Sequence, residues 1–336
     1  MQTLIKKFPP LLLLTLLILP SFILLYFNYQ SLWSTPKYHV TIAVSQTPLS
    51  TPFYVAQAID AFNDTCVNVE LSDVIGGQSA FAKVMREEVD FGTSSDSVIA
   101  FQSLAKKPFV THAMFVQSDN DVKLITRPLD HINSVKDLKG KRIGVTKGTA
   151  SEYFLSILLA LEGLSVEDIT LLDIKPEELV DSFAANKVDA IVPWEPFAFQ
   201  GKQLLNDQIK VHETKNLNSL SFNLISQTAD NLLVKKATCV LQGLALAIDY
   251  IASHPDEAQK IVINKLNLSP AFIEWIWPDY VFKLALNQSL ILSIESQAKW
   301  AFATQTIDFY ELPEITKHID SRAMLKVEPA AVSVPL

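Results

Sequence analysis

The stretch "VDAIVPWEPFA" (188–198) begins with the apolar pattern of a buried strand, and two prolines then end that pattern. Pro193 and Pro196 interrupt the apolar run. Proline lacks a backbone N–H donor and fixes its own φ, so neither residue can continue a strand ladder. The stretch therefore predicts a strand end that presents an indole, Trp194, and a carboxylate, Glu195.

This strand belongs to a longer alternation of short apolar runs and helical patterns. Strand patterns cover 38–44, 67–74, 89–93, 141–145, 168–174 and 188–192, and helical patterns cover 53–62, 76–88, 149–163 and 176–186. The order strand–helix–strand–helix–strand thus occurs twice. Such an order predicts an α/β fold with two parallel arrangements of strands covered by helices.

The last strands of the two units match each other. "VDFGTSSDSVIAFQ" (89–102) and "VDAIVPWEPFAFQ" (188–200) both begin Val-Asp and place an acid six residues after that Asp. This match predicts two similar lobes. Ligands of open α/β sheets bind beyond the carboxyl ends of the strands. We therefore expect five residues to line a cleft between the lobes: Ser94, Ser95, Asp96, Trp194 and Glu195. Alternatively, Trp194 packs under a loop and Glu195 caps the next helix, and the two interpretations are compatible.

Three predicted helices start near this cleft with small or polar residues, in "SQTPLSTPF", "GGQSAF" and "TKGTASEYF". Unpaired first-turn amides and the helix dipole make such starts suitable for anions. Each is also typical of an ordinary helix cap, and Thr149-x-x-Glu152 has the pattern of a capping box. The predicted ligand-binding residues are Gln46, Ser50, Thr51, Gly77, Gln78, Ser79, Ser94, Ser95, Asp96, Lys147, Gly148, Thr149, Ser151, Trp194 and Glu195.

Two acids reduce the number of ligand classes that fit the predicted cleft. Asp96 and Glu195 would disfavour a simple anion such as nitrate in the same cleft. An amine, an amidine or a pyrimidine nitrogen would suit them, and Trp194 offers such a group a stacking face or a cation–π contact. The residues therefore favour a small amphoteric or heteroaromatic molecule over a bare oxyanion.

Composition excludes several classes of function. The chain has 336 residues, 49% of them hydrophobic, and a formal net charge of −8, which argues against a nucleic-acid partner. Two cysteines, Cys66 and Cys239, are too few for a disulfide scaffold and form no Cys-x-x-Cys pair. Whether they pair with each other is left open. The aromatic cluster at 272–284, which includes Trp275, is predicted to be core.

The N-terminus carries the pattern of a membrane segment. Lys6 and Lys7 precede an uncharged stretch from Phe8 to Pro36. Its apolar core is long enough to span most of a bilayer, and the basic residues hold that end in the cytoplasm. Residues 1–36 are therefore predicted to be an uncleaved anchor on the periplasmic side of the inner membrane. The alternative is a cleaved signal peptide, which would release a periplasmic protein.

Four segments, in their order, carry a resemblance. "GGQSAFAKVMREEVDFGTSSDS", "DLKGKRIGVTKGTASEYFL", "VDAIVPWEPFA" and "HIDSRAMLKVEPAAVS" resemble the substrate-binding proteins of nitrate/sulfonate/taurine-type ABC importers. The resemblance implies that the protein passes a sulfonate- or taurine-like compound to ABC permease and ATPase subunits, whereas the cleft residues keep an amine or pyrimidine compound as the other possible ligand. A monomer is expected. It also implies a two-lobed periplasmic-binding-protein type II fold. Lobe one would comprise 38–125 plus 222–336, and lobe two 126–221.

Two features depart from that family: "SQTPLSTPF" replaces the usual glycine-rich turn after the first strand, and no lipid-attachment cysteine follows the apolar segment. Enzyme motifs are missing too: the chain has no His-Glu-x-x-His, P-loop or Gly-x-Ser-x-Gly pattern, and it lacks the cysteine-rich motif of the thiamine-pyrimidine enzymes that share the fold. A binding protein that is not an enzyme, with no cofactor and no metal, is expected. The alternative is a membrane-tethered sensing module that acts with a separate signalling partner.

Overall fold

The structure, a computed structural model, describes residues 37–212, 214–303 and 311–334. The predicted anchor or signal segment, 1–36, lies outside the described residues. Eleven strands occur in the described part of the chain: β1 (Tyr38–Ser45), β2 (Val67–Val74), β3 (Phe91–Ser95), β4 (Val110–Ser118), β5 (Ile125–Thr126), β6 (Arg142–Val145), β7 (Thr170–Asp173), β8 (Ala190–Ile191), β9 (Lys210–Val211), β10 (Leu220–Ser226) and β11 (Tyr280–Ala285).

The strands form two separate mixed sheets. The first sheet has the order β11-β4-β10-β3-β1-β2, and the second has the order β7-β6-β8-β5-β9. In the first sheet β1 pairs parallel with β2 and β3, whereas β10 runs antiparallel to β3 and β4. In the second sheet β6 pairs parallel with β7 and β8, and β5 runs antiparallel to β8 and β9. The predicted pair of α/β units is confirmed.

Helices cover both sheets. They are α1 (Thr51–Ala58), α2 (Gly76–Met85), α3 (Asp96–Leu104), α4 (Ala150–Leu161), α5 (Leu179–Ala184), α6 (Phe197–Leu205), α7 (Asn231–Ser253), α8 (Pro255–Leu266), α9 (Pro270–Ile276), α10 (Gln288–Ala303) and α11 (Met324–Val327). In β1, Val40, Ile42 and Val44 lie on one face and Ala43 lies on the other, and all four are fully buried, as expected for a parallel strand covered on both faces. The predicted helix over 53–62 ends earlier, at Ala58, because the chain turns where Asp60 takes a φ of 55°.

Helix α7 is long and apolar enough to cross a membrane by length and composition alone, but half of its most apolar stretch is buried inside the fold. Its buried residues include Val240, Leu241 and Leu244. Length and apolar composition do not separate a core helix from a membrane span. The buried residues of α7 are typical of a core helix.

The chain passes between the sheets at two places within the described residues. The first crossover, residues 119–124, leads from β4 in the first sheet to β5 in the second. The second crossover, described at 212 and 214–219, leads from β9 back to β10. These segments lie near the lobe boundaries expected at 125 and 221. The assignment of the lobes themselves remains a prediction.

Cys66 and Cys239 form a disulfide, with their Cα atoms 5.6 Å apart. The sequence left this pairing open. Cys66 directly precedes β2 and Cys239 lies in α7, so the bond joins an edge strand of the first sheet to the longest helix described. The pair cross-links residues that are 173 positions apart in the chain.

Candidate functional site

A cavity of about 850 Å³ lies between residues of the two sheets and their helices. Its walls come from the loop after β1, the first turn of α2, the first turn of α4, the end of β7 and the strand end at Trp194. The carboxyl ends of parallel strands β1, β3, β6, β7 and β8 all lead toward it. The cavity is therefore at the place where open α/β sheets bind ligands.

The start of α2 reaches the cavity because two glycines precede its polar residues. Gly76 has a φ of +75°, which favours glycine. A Cβ on Gly77 would lie 3.0 Å from the backbone nitrogen of Ser95, so only glycine lets this helix start so close to the end of β3. Gln78 and Ser79 line the cavity and are exposed. The first amides of a helix have no partner within it and can bind an anion.

The start of α4 faces the same cavity from the second sheet. Thr149 is its N-cap, and the Thr149 hydroxyl accepts a hydrogen bond from the Ser151 amide at 3.2 Å. The Glu152 carboxylate accepts from the Gly148 amide at 2.9 Å rather than from Thr149, so the predicted capping box is only partly formed. Burial raises the pKa of Glu152. Lys147 and Thr149 line the cavity, and Lys147 brings a positive charge to this wall.

Trp194 lies between these two helix starts. It is half-buried and lines the cavity, and its Cζ2 atom would be 3.9 Å from a Cβ on Gly76. Its ring meets the Phe197 ring edge-on, with centroids 6.1 Å apart. The backbone of Trp194 forms an isolated antiparallel bridge with Val122 of the first crossover. The strand end quoted at the start thus contributes an indole face to the cavity.

The cavity contains seven of the fifteen predicted ligand-binding residues. These are Gly77, Gln78, Ser79, Ser95, Lys147, Thr149 and Trp194. The other eight are not among its lining residues: Gln46, Ser50, Thr51, Ser94, Asp96, Gly148, Ser151 and Glu195. A part in binding remains a prediction for all fifteen.

The predicted hydroxyls that do not line the cavity bond to nearby carbonyl groups. Ser50 donates to Ser45 at 2.7 Å, Thr51 donates to Pro48 at 2.5 Å, and Ser151 donates to Val192 at 2.5 Å. The hydroxyls of Ser50 and Thr51 stabilise the tight turn that replaces a glycine-rich loop after β1. A sequence pattern does not separate this use of a hydroxyl from an exposed donor.

Both predicted cleft acids have their oxygens engaged by other parts of the fold. Asp96 accepts from the Ser293 hydroxyl and from the Ser97 amide, both at 2.9 Å. Burial raises the pKa of Asp96 to about 6. Ser293 lies in α10, so this carboxylate serves the packing of α3 against α10.

Glu195 accepts from the Phe199 amide at 3.0 Å and from the Trp275 indole N–H at 3.1 Å. Burial raises the pKa of Glu195 to about 7. The hydrogen bond from the Phe199 amide caps the first turn of α6, which is the role of Glu195 in the alternative interpretation. The Glu195–Pro196 peptide bond is cis.

Two cavity residues that the sequence did not indicate have a buried polar atom without a hydrogen-bond partner among the described residues. They are Thr47, through its hydroxyl, and Asp121, through Oδ2. Thr47 follows the predicted Gln46 by one position, so the loop was indicated but not the residue. Asp121 lies in the first crossover, where no periodic pattern marks a residue as functional.

The family model described as NMT1/THI5 like matches residues 47–258. A protein of Bacillus subtilis (strain 168) named for aliphatic sulfonate binding is 24% identical over 74% of this chain and 76% of its own length. A protein of Haemophilus influenzae (strain ATCC 51907 / DSM 11121 / KW20 / Rd) named for thiamine biosynthesis is 23% identical over 66% of this chain and 72% of its own.

Among solved structures, the alkanesulfonate-binding protein of Xanthomonas axonopodis pv. citri bound to MOPS superposes with a TM-score of 0.72 and 19% identity. The superposition covers 86% of this chain and all of that protein, and it shows that the two share a fold. The resemblance to binding proteins of nitrate/sulfonate/taurine-type importers is confirmed. Because the family model spans well over half of the sequence, the chain belongs to the NMT1/THI5-like family.

Proposed function

We propose that this chain is an extracytoplasmic solute-binding protein that captures a small polar molecule in the cavity for delivery to an ABC importer. One observation carries the proposal: helix starts from both sheets, α2 and α4, face one cavity together with the half-buried Trp194. This arrangement offers amide donors to an anionic group and an aromatic face to the rest of the ligand.

The relatives named for sulfonate binding support binding without reaction. The Bacillus and Xanthomonas proteins are named for binding sulfonates, which favours transport over the alternative of a sensing module. A sulfonate- or taurine-like compound, or an amine or pyrimidine, is the proposed class of ligand. The proposed partners are ABC permease and ATPase subunits, and the proposed form is a monomer.

The two lobes and the membrane segment belong to the proposal as well. Lobe one comprises 38–125 plus 222–336, and lobe two comprises 126–221, with the two crossovers as hinges. Residues 1–36 hold the protein at the periplasmic side of the inner membrane. Fractionation tests this placement: a mature N-terminus near Ser34 or Thr35 in the released periplasmic fraction contradicts an uncleaved anchor.

A thermal-shift screen of the purified protein tests the binding function. The panel contains sulfonates, nitrate, bicarbonate, amino acids and pyrimidines. A true ligand at 100 times its Kd adds about 2.7 kcal/mol to the free energy of unfolding. If no compound in the panel stabilises the protein, the proposal is contradicted.

A further inference from the structure

We propose that Asp121 determines ligand specificity by binding a cationic nitrogen of the ligand, which makes the ligand a small zwitterion rather than a plain organic anion. This inference rests on the proposed binding function and deepens it. It assigns the acidic part of the site to a residue in the first crossover, because the acids that the sequence indicated, Asp96 and Glu195, are engaged elsewhere.

The first argument is the hydrogen bonding of Asp121 itself. Asp121 lines the cavity and is 2% exposed. Its Oδ1 accepts a hydrogen bond from the Tyr280 hydroxyl at 2.5 Å, whereas its Oδ2 is buried and has no partner among the described residues. A buried carboxylate oxygen without a donor is costly. A ligand N–H supplies the donor that the fold does not.

The second argument is the charge around Asp121. The groups that face it are the Tyr280 hydroxyl, Lys123, Asp279 and Glu195. Burial raises the pKa of Asp121 to about 6, and the Tyr280 hydrogen bond and Lys123 act in the opposite direction. Lys123 and the Tyr280 hydrogen bond favour the ionised carboxylate, and an ionised carboxylate attracts a cation.

The third argument is that main-chain hydrogen bonds join the two segments that carry Asp121 and Trp194. The Glu195 amide donates to the Asp121 carbonyl at 3.1 Å, and the Lys123 amide donates to the Pro193 carbonyl at 2.9 Å. Both Asp121 and Trp194 line the cavity. A carboxylate and an indole face together form a suitable environment for an ammonium group.

The remaining walls supply the opposite chemistry. The first turns of α2 and α4 present amide groups, and Lys147 adds a positive charge. The buried Thr47 hydroxyl also lacks a partner among the described residues and can donate to an anion. A ligand that uses both kinds of wall carries an anionic head and a cationic nitrogen.

Matched pairs of probes test the inference by titration calorimetry. Taurine is compared with ethanesulfonate, and β-alanine with propionate, because each pair differs by the amino group alone. We expect the amino compound of at least one pair to bind about ten- to a hundredfold more tightly, as a charge-assisted hydrogen bond predicts. Asp121→Asn removes most of that difference, because it weakens the amino compound and leaves its amine-free partner nearly unchanged.

Asp90→Asn is the control, because Asp90 is half-buried, accepts a hydrogen bond from Lys236 at 2.7 Å and does not line the cavity. It keeps the wild-type preference for the amino compound, and thermal melts establish that both variants fold. Equal binding of amino and amine-free probes, or an unchanged preference in Asp121→Asn, overturns the inference and leaves the binding function intact. If neither pair binds, a nitrate or pyrimidine response in the screen overturns the inference alone, whereas a blank screen overturns the binding function too.

Discussion

The Trp275 indole N–H donates to Glu195 Oε1 over 3.1 Å and joins elements of the two sheets. Glu195 follows β8 of the second sheet, and Trp275 lies in α9, between β10 and β11 of the first. The prediction that Trp275 is core is wrong, because the residue is 37% exposed. Lys202 lies 3.9 Å from the centroid of its ring, so the indole covers a buried carboxylate while its face meets a surface lysine.

Glu195 makes stability depend on pH. Burial raises its pKa from 4.5 to about 7, so the folded protein holds this proton more tightly than the unfolded chain does. The stabilisation is fully present below pH 4.5 and is lost as the pH rises through 7. We expect Glu195→Gln to abolish this part of the decline, about 3 kcal/mol in the free energy of unfolding.

Urea denaturation at pH 5, 6, 7 and 8 measures this difference. The difference between wild type and Glu195→Gln removes the contribution of Asp96, whose pKa burial raises in the same direction. Glu177→Gln, at an exposed position, serves as the control and keeps the wild-type pH dependence. Parallel curves for wild type and Glu195→Gln would contradict the prediction.

Trp194→Ala should weaken ligand binding more than it weakens the fold. The half-buried ring lines the cavity, and its loss removes an aromatic contact worth about tenfold in Kd. Calorimetry with the strongest compound from the screen measures the change. Trp277→Ala is the control, because Trp277 packs on Phe282 with ring centroids 5.3 Å apart and does not line the cavity. A similar loss of affinity in both variants would exclude a specific role for Trp194.

Gly77→Ala should destabilise the protein and weaken binding together. Its Cβ would lie 3.0 Å from the Ser95 nitrogen and 3.1 Å from the Ser94 Cα, both backbone atoms that cannot rotate away. We expect a loss of about 1–3 kcal/mol from this overpacking and a displaced start of α2. Gly201→Ala in α6 is the control: its nearest neighbour is Val180 at 3.5 Å, so the higher helix propensity of alanine should stabilise it by up to about 1 kcal/mol.

Reduction of the Cys66–Cys239 bond should lower stability by about 2–4 kcal/mol, because the bond closes a long loop in the unfolded chain. Thermal melts of the wild type with and without a thiol reductant measure this loss. The Cys66→Ser/Cys239→Ser double variant should melt at the same temperature under both conditions. Ligand affinity should persist, since neither cysteine lines the cavity. A wild-type melt that does not respond to the reductant would argue against a stabilising disulfide.

Ligand binding should close the two proposed lobes around the cavity. Each sheet contributes only part of the cavity wall, so a ligand that contacts both parts favours a closed arrangement. Small-angle scattering at saturating ligand should therefore give a smaller radius of gyration than scattering without ligand. An unchanged radius would indicate that the lobes keep one arrangement.

The sequence predicted the backbone elements around the site better than the side chains that line it. Apolar periodicity and glycines locate the starts of α2 and α4, because those features determine backbone conformation. The direction of a side chain depends on neighbours that are distant in the chain. Glu195 is engaged by Trp275, 80 residues later, and Asp96 by Ser293, 197 residues later. Asp121 escaped detection because the loop that holds it has no repeating pattern.

The pairing of the first crossover with the strand end at Trp194 has a consequence for the divergence of such chains. Main-chain bonds hold the two segments together: the Glu195 amide to the Asp121 carbonyl, and the Lys123 amide to the Pro193 carbonyl. The amides belong to residues 123 and 195, and any residue at 121 can supply the carbonyl group. Side chains at 121 and 194 can therefore be exchanged during evolution while the backbone beneath them stays in place, and ligand preference can change without the invention of a new scaffold.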